Sequence, residues 1–462
     1  MDRQLLYLVL LFIVGCGEGE KKESNIFFAG EIVNPTDSKV FLYKGDAVID
    51  SAALDEQNRF AFSIDSIEDG LYHFNHYPEL QYVYLERGDS LMMRLNTIDF
   101  DESLIFSGKG EEINNFLLEL FLSHEDEADL IRELYRLEPT DFTDKIDSLQ
   151  EIKLDELAKL VNENKISEKK EKVAKASIVY NYNTFKEKYP FKHKWLTGAQ
   201  KIVSLPTDFY SYRKNLTFND KDLTYLRPYY NFMNTLVGNM SFMSCYGDCG
   251  EGNEAVRNRL HFNKHKLKLI DSLMQEKELK DNLFRFVAFD YLLKAHQDSE
   301  KNNEEFIEEF HRLSNNNRHM DEIDALYESI KNMQPNKRIP DVLVSDVDGN
   351  QVSLKQIASK NNKTVFYFWS GTNRSHFDNL RKRVAYLSHS KPNYSFVGIN
   401  LKTTEPVWKT MLETSGLDKS LQYRAVDVDN LSKSLIIDKL NKCIITEDEI
   451  IVDAFANVYE SF

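Results

Sequence analysis

Val365-Phe-Tyr-Phe-Trp-Ser-Gly-Thr-Asn-Arg-Ser-His-Phe377 is the stretch on which the fold turns. A short apolar run closes on Phe368-Trp369. Ser370-Gly-Thr-Asn373 then supplies turn chemistry, and Phe377, Leu380, Val384 and Leu387 recur at helical spacing. This predicts a buried strand over 364–369 running into a helix over 374–389. Outward from it the alternation continues. Residues 341–345 read as a strand, Asp348-Gly-Asn350 as a hairpin turn and 353–359 as a helix start. Residues 394–401 read as a second buried strand, 405–414 as a helix holding Trp408, and 442–446 and 450–454 as two closing strands. The order βαβαβαββ defines an α/β domain over 336–462, entered through Pro335-Asn-Lys-Arg-Ile-Pro340. The acidic run at 346–350 lacks the spacing of a calcium loop. Glycine falls at the fourth position, not the sixth, and Ile357 stands where the ligating Glu belongs.

Phe368-Trp369, the turn and the helix start together resemble the active-site segment of the thioredoxin-like fold, in the form found in TlpA-like envelope proteins. There the pattern reads Phe-Trp-Ala-x-Trp-Cys-x-x-Cys, and the two cysteine positions fall here on Asn373 and His376. Thiol–disulfide exchange needs an attacking thiolate and a resolving thiol, and neither residue supplies one. Ser370, Thr372 and Ser375 read as helix caps, because no base–orienter pair accompanies them. The resemblance also implies a cis-proline before a late strand, and that position falls near Leu440 or Asn441. A non-proline cis bond costs ~3 kcal/mol, so a trans bond is expected. A domain degenerate at both places is expected to be redox-inactive, with no catalytic residue and no cofactor. Active relatives hold substrate polypeptides in a groove that falls here between 369–376 and 440–443. Trp369, Ser370, Leu440 and Asn441 are therefore the candidate binding residues.

Residues 25–108 alternate apolar and polar over 26–32, 39–44, 59–64, 81–85 and 91–95, with turn residues between, which suits an antiparallel sandwich or barrel. This segment resembles the small β domain that precedes many thioredoxin-like lipoproteins of the Bacteroidetes, and no functional residue follows from that likeness. Residues 111–335 have helical period. Tyr180, Tyr182, Phe185, Tyr189, Phe191, Tyr225, Tyr229, Tyr230 and Phe232 are dense enough to be core, or else to line a cleft that stacks sugars or peptides. His261 and His265 stand four apart but have Phe, Asn and Lys between them. A solvated basic face is the expectation, and no metal site. The fold class is thus multidomain α+β: an N-terminal antiparallel β sandwich or barrel, a central all-helical domain and a C-terminal thioredoxin-like α/β domain.

The apolar run at 5–14, ending Ile13-Val14-Gly15-Cys16, is too short to span a bilayer and looks like a lipoprotein signal peptide over 1–15. Cys16 would carry the lipid, and 16–24 would be a polar tether. Cys443 sits in an apolar strand as a small buried hydrophobe. Cys245 and Cys249 stand in a glycine-rich loop. A disulfide staple is the expectation there, with a redox dithiol, free thiols or a weak two-ligand metal site as alternatives. The net charge of −16 argues against nucleic acid and anionic surfaces as partners.

The expected protein is lipid-anchored in a bacterial cell envelope, at the periplasmic face or outer membrane. It binds or scaffolds a protein or peptide partner and is not an enzyme. The alternatives are thiol–disulfide exchange by Cys245 and Cys249, and glycan binding by the aromatic-rich helical region.

Overall fold

The computed structural model describes residues 25–65, 67–77, 79–244, 258–294 and 300–462. The signal peptide over 1–15, the tether over 16–24 with its Cys16, and the pair Cys245 and Cys249 lie outside the described residues. The chain forms two compact units, divided between Asn239 and Met240. The division falls inside the stretch that the sequence reads as one helical domain.

The first unit opens with eight strands: β1 (Ile26–Val33), β2 (Lys39–Lys44), β3 (Ala47–Ala53), β4 (Arg59–Ile64), β5 (Gly70–His76), β6 (Glu79–Leu85), β7 (Ser90–Asn96) and β8 (Ile105–Lys109), with the one-turn helix α1 (Phe100–Ser103) before the last. They make two four-stranded sheets, ordered β4-β1-β7-β8 and β3-β2-β5-β6. Period-two alternation sends Phe60 and Phe62 of β4 and Leu91, Met93 and Leu95 of β7 into one core. Phe28 packs there with its ring 5.6 Å from Phe60 and 5.8 Å from Phe74. The expected all-antiparallel arrangement does not hold throughout. β1 runs parallel to β7, from Phe27 opposite Ser90 to Val33 opposite Asn96. Alternation tells which face of a strand is buried but not which strand lies beside it, so the parallel pair left no trace in the sequence. β3 is exposed along nearly its whole length and so lacks the hydrophobic pattern by which strands are read.

Helices α2 (Glu111–Asp126), α3 (Ala128–Leu134), α4 (Pro139–Asn164) and α5 (Glu168–Thr197) follow, and α6 (Arg227–Ser244) runs across the division. Ser167 starts α5 by accepting a hydrogen bond from the Lys170 N–H, which satisfies one of the open helix-end donors. Tyr180, Tyr182, Tyr189, Tyr229 and Phe232 are buried. Ring pairs such as Phe142–Tyr189, 4.3 Å apart, and Tyr180–Tyr229, 4.8 Å apart, confirm the core reading for these rings.

The second unit contains α7 (Arg259–Leu273), α8 (Lys277–Lys294), α9 (Glu300–Leu313) and α10 (Met320–Asn332). Its sheet elements are β9 (Leu343–Ser345), β10 (Gln351–Ser353), α11 (Leu354–Ser359), β11 (Lys363–Trp369), α12 (Arg374–Ser390), β12 (Ser395–Asn400), α13 (Glu405–Ser415), β13 (Gln422–Ala425), α14 (Val428–Leu435), β14 (Lys442–Glu447) and β15 (Ile450–Asn457). The strand order is β10-β9-β13-β12-β11-β14-β15. β11 lies inside it, parallel to β12 from Thr364 opposite Ser395, and antiparallel to β14 with Tyr367 opposite Cys443. Thr364 to Trp369 are all buried, as a strand covered on both faces requires. Phe377, Leu380, Val384 and Leu387 bury one face of α12, the face read from their spacing. Gly398 in β12 leaves room for the hydrogen bond between Tyr367 and Gln422, since a Cβ there would sit 2.2 Å from Gln422 Oε1 and 2.7 Å from the Tyr367 hydroxyl oxygen. The carboxylate of Asp346 accepts from the backbone N–H groups of Asp348 and Asn350 and closes the turn between β9 and β10, so it is spent on local structure.

Candidate functional site

The site lies where β11 ends and α12 begins. The Trp369 indole is fully buried and stacks on Phe377 with centroids 4.2 Å apart. It therefore belongs to the core and lines no groove, because an apolar strand covered on both faces keeps its last ring buried. Ser370 is also buried, with its hydroxyl 2.8 Å from that of Thr372. The next residue, Gly371, donates its N–H to Thr403 Oγ1 at 2.7 Å. A side chain at 371 would meet Thr403 Cγ2 at 2.8 Å and Met411 Sδ at 2.9 Å, so the close approach requires glycine. Asn400 Nδ2 donates to the same Thr403 hydroxyl at 3.0 Å and fixes it from below.

Asn373 caps α12: its Oδ1 accepts the His376 N–H at 3.0 Å. His376 in turn has Nε2 3.0 Å from Asn441 Oδ1. An amide oxygen only accepts, so Nε2 carries the proton and donates. Nδ1 is then the acceptor nitrogen, and it is buried with no partner among the described residues. Burial holds His376 below the ordinary histidine range, and the bond to Asn441 offsets part of this. The imidazole is neutral near pH 7.

Asn373 is thus a helix cap and His376 a neutral hydrogen-bond donor. Ser370 and Thr372 bond to one another and not to His376, so no nucleophile–base pair is assembled. Cys443 is fully buried in β14, and burial pushes its thiol up to about 12, which leaves it without thiolate at neutral pH. Of the residues assigned to the groove, Leu440 is half-buried and Asn441 is exposed at the turn before β14. The structure joins Asn373, His376 and Asn441 into one hydrogen-bonded chain.

Three contributors carried no motif. Thr403 and Asn400 hold the turn, and a threonine two residues before a helix was the available signal for the first. Lys442 is buried, with Nζ donating to the carbonyls of Leu435 at 2.8 Å and Ile436 at 2.7 Å and lying 4.3 Å from the Phe455 ring centroid. Burial pulls its pKa down to about 7. A lysine opening an apolar strand was the signal there. Elsewhere, the expected basic face of α7 is only partly solvated. Lys266 is buried, over the Phe262 ring and 3.9 Å from Asp290, because its stem packs on the ring while its ammonium finds a carboxylate.

No family model matches the chain, and no curated protein matches it. Among solved structures the chain is similar to a thioredoxin-like protein from Bacteroides caccae, at 13% identity over 56% of this chain and 95% of that one, with a TM-score of 0.33. It is similar to the thioredoxin domain of a thiol-disulfide oxidoreductase from Bacteroides vulgatus, at 21% identity over 26% of this chain and 86% of that one, with a TM-score of 0.21. It is also similar to a thiol:disulfide interchange protein from a Bacteroides species, at 19% identity over 26% and 81%, with a TM-score of 0.22. The parallel pair β11–β12 joined through α12, beside the antiparallel strands β14 and β15, gives the second unit a thioredoxin-like domain.

Proposed function

We propose that this is a redox-inactive thioredoxin-like protein that binds a polypeptide segment in the cleft between the N-terminus of α12 and the turn before β14. The observation that carries the reading is the Asn373–His376–Asn441 chain, which puts a cap and a neutral donor where the fold's chemistry would need two thiols. Exposed Asn441 offers a side-chain amide, which can both donate to and accept from a bound chain. The lipoprotein-like leader ending at Cys16 supports a lipid-anchored place in a bacterial cell envelope, with a protein or peptide of the same compartment as partner.

The test is in two parts. In an insulin-reduction assay on the full chain, wild type gives no turnover, and turnover that depends on Cys245 and Cys249 would replace this reading with the enzymatic one. In intact cells, a photo-crosslinker placed at residue 374 captures a polypeptide, and His376→Ala/Asn441→Ala reduces that capture. Capture unchanged by the double substitution rejects the cleft as the binding surface.

A further inference from the structure

In the first unit, α2 occupies the place of a further strand for both sheets. The sheets β4-β1-β7-β8 and β3-β2-β5-β6 end in β4 and β3 on one side, which are in contact with one another, and in β8 and β6 on the other. Both of the latter meet α2. Gly108 and Gly110 have φ of 92° and 102°, a conformation costly for other residues, and the chain turns there so that α2 folds back over the strand it follows.

Adjacent asparagines of α2 take one edge each. Asn114 Oδ1 accepts the Tyr84 N–H of β6 at 2.7 Å, and Asn114 Nδ2 donates to the Tyr84 carbonyl at 2.9 Å. Asn115 treats β8 in the same way: Oδ1 accepts the Phe106 N–H at 2.9 Å and Nδ2 donates to the Phe106 carbonyl at 2.9 Å. A side-chain amide carries an acceptor and a donor side by side. Each asparagine therefore makes the two bonds that an antiparallel neighbour would exchange with that residue. Glu111, in the first turn of α2, accepts the next outward N–H of β8, that of Gly108, at 2.8 Å. On β6 the N–H of Tyr82 goes to Gln81 Oε1 at 2.8 Å and that of Glu86 to Asp89 Oδ2 at 2.8 Å. Asparagine is a weak helix former, and neither Asn114 nor Asn115 stands at an end of α2. Their bonds to the strands account for them.

Without these bonds β8 would be a template for another strand, because it would show free N–H and carbonyl groups beside an apolar surface. Ile105 is 59% exposed, and Met92 of β7 and Phe27 of β1 are exposed on the same outer face. Antiparallel pairing of two β8 edges about Ser107 sets Phe106 opposite Gly108, the two residues whose N–H groups α2 now holds. It sets Ile105 opposite Lys109, so no like charges oppose one another. This register maps onto itself under a two-fold axis, which makes a second copy of the chain the strand partner that the edge fits.

We infer that Glu111, Asn114 and Asn115 make α2 a seal that keeps the β8 edge from pairing with the β8 edge of a second copy. The test is sedimentation velocity on the full chain over a range of concentrations. Glu111→Ala/Asn115→Ala dimerises at a concentration at least about tenfold below that of the wild type, the difference made by one or two freed backbone hydrogen bonds. Adding Ile105→Lys, which would bring lysine opposite Lys109 in the paired edges, returns the dimerisation to the wild-type range. His376→Ala, in the other unit, leaves it unchanged. Glu111→Ala alone frees only the Gly108 N–H and shifts dimerisation in the same direction, which carries the test if the double variant does not fold. The inference is overturned if the unsealed variants dimerise no more readily than the wild type, or if Ile105→Lys does not reverse their association.

Discussion

His376 Nε2 lies 3.0 Å from Asn441 Oδ1, which ties the first turn of α12 to the turn that enters β14 across 65 residues of chain. The bond fixes the tautomer and leaves Nδ1 buried and unpartnered. Protonating Nδ1 would place an unsatisfied donor in that pocket.

His376 therefore titrates below the ordinary value of about 6.5 in the folded chain. Because the bond to Asn441 opposes the effect of burial, Asn441→Leu lowers the value further. The stability consequence follows from the depressed pKa. The folded state binds the proton less readily than the unfolded one, so the contribution is complete above the unfolded value and is lost as pH falls through the folded value. Side-chain ¹⁵N NMR over an acid titration reads the pKa. A value at or above the ordinary range contradicts the burial argument, and His376→Gln should remove this part of the acid destabilisation.

Asn373 and His376 stand at the cap and third positions of α12, where a dithiol would gain from the helix end. Asn373→Cys/His376→Cys should therefore create thiols more acidic than a free cysteine and able to close a disulfide. Titration of accessible thiols before and after mild oxidation reads this directly. In Cys443→Ser the reactive-thiol count should not change, because the native thiol is buried and neutral. If the double variant cannot be oxidised, the backbone at this turn does not hold positions 373 and 376 in disulfide geometry.

How much of this was legible depends on the length of each element and on its partner. Strand 364–369 and the α12 face formed by Phe377, Leu380, Val384 and Leu387 were readable because many residues repeat one period over a single burial pattern. β13 and α14 were not read. The first has four residues, and the second buries only Leu431 and Leu435, too few to establish a period. Asn373, His376 and Asn441 were singled out through the motif positions that they occupy, yet their bonding was invisible, since pairing over 65 residues leaves no local signal. A groove of the first unit between α4, α5 and the 198–226 segment was hidden for a different reason. Thr143, Asp147 and Gln150 look like an ordinary solvated helix face until the 198–226 segment is seen to cover it. The aromatics suggested a cleft in the same region, but the structure spends Tyr180, Tyr189, Tyr229 and Phe232 mainly on the core.

Arg213 and Glu187 make an unequal pair. Glu187 is fully buried, whereas 23% of the Arg213 side chain is exposed. Removing one partner of a buried pair costs about 3–5 kcal/mol because the other charge is left unpaired. Arg213→Met strands the more deeply buried carboxylate and should be the worse change, near the top of that range. Glu187→Gln leaves a guanidinium that reaches water and should lie near or below the bottom. Urea unfolding of the first unit, followed by circular dichroism, measures both. Equal losses would mean that the carboxylate takes up a proton when stranded.

Lys442 offers a stability test of its own. Its ammonium sits among buried groups and donates to the carbonyls of Leu435 and Ile436, the latter in the left-handed region at φ 52°, unusual for a β-branched residue. These bonds hold the end of α14, and they survive loss of one proton because a neutral amine still donates. Burial is the first cause of the fall to about 7, with Asp438 and Asp453 opposing it. In the unfolded chain the group titrates near 10.4. Between these values the unfolded state binds more protons than the folded one, so this group makes stability rise with pH, by up to about 1.4 kcal/mol per pH unit. Below about pH 7 both states are protonated and the slope vanishes. Lys442→Met keeps the stem on Phe455 but removes the titration and the carbonyl bonds, so it should flatten the slope between pH 7.5 and 9.5 while it loosens the end of α14. Denaturation midpoints followed by tryptophan emission report on this unit, because Trp369 and Trp408 are both buried in it and Trp195 is exposed elsewhere in the chain. Equal slopes in the wild type and in Lys442→Met would show that the lysine keeps its charge at the end of α14 throughout that range.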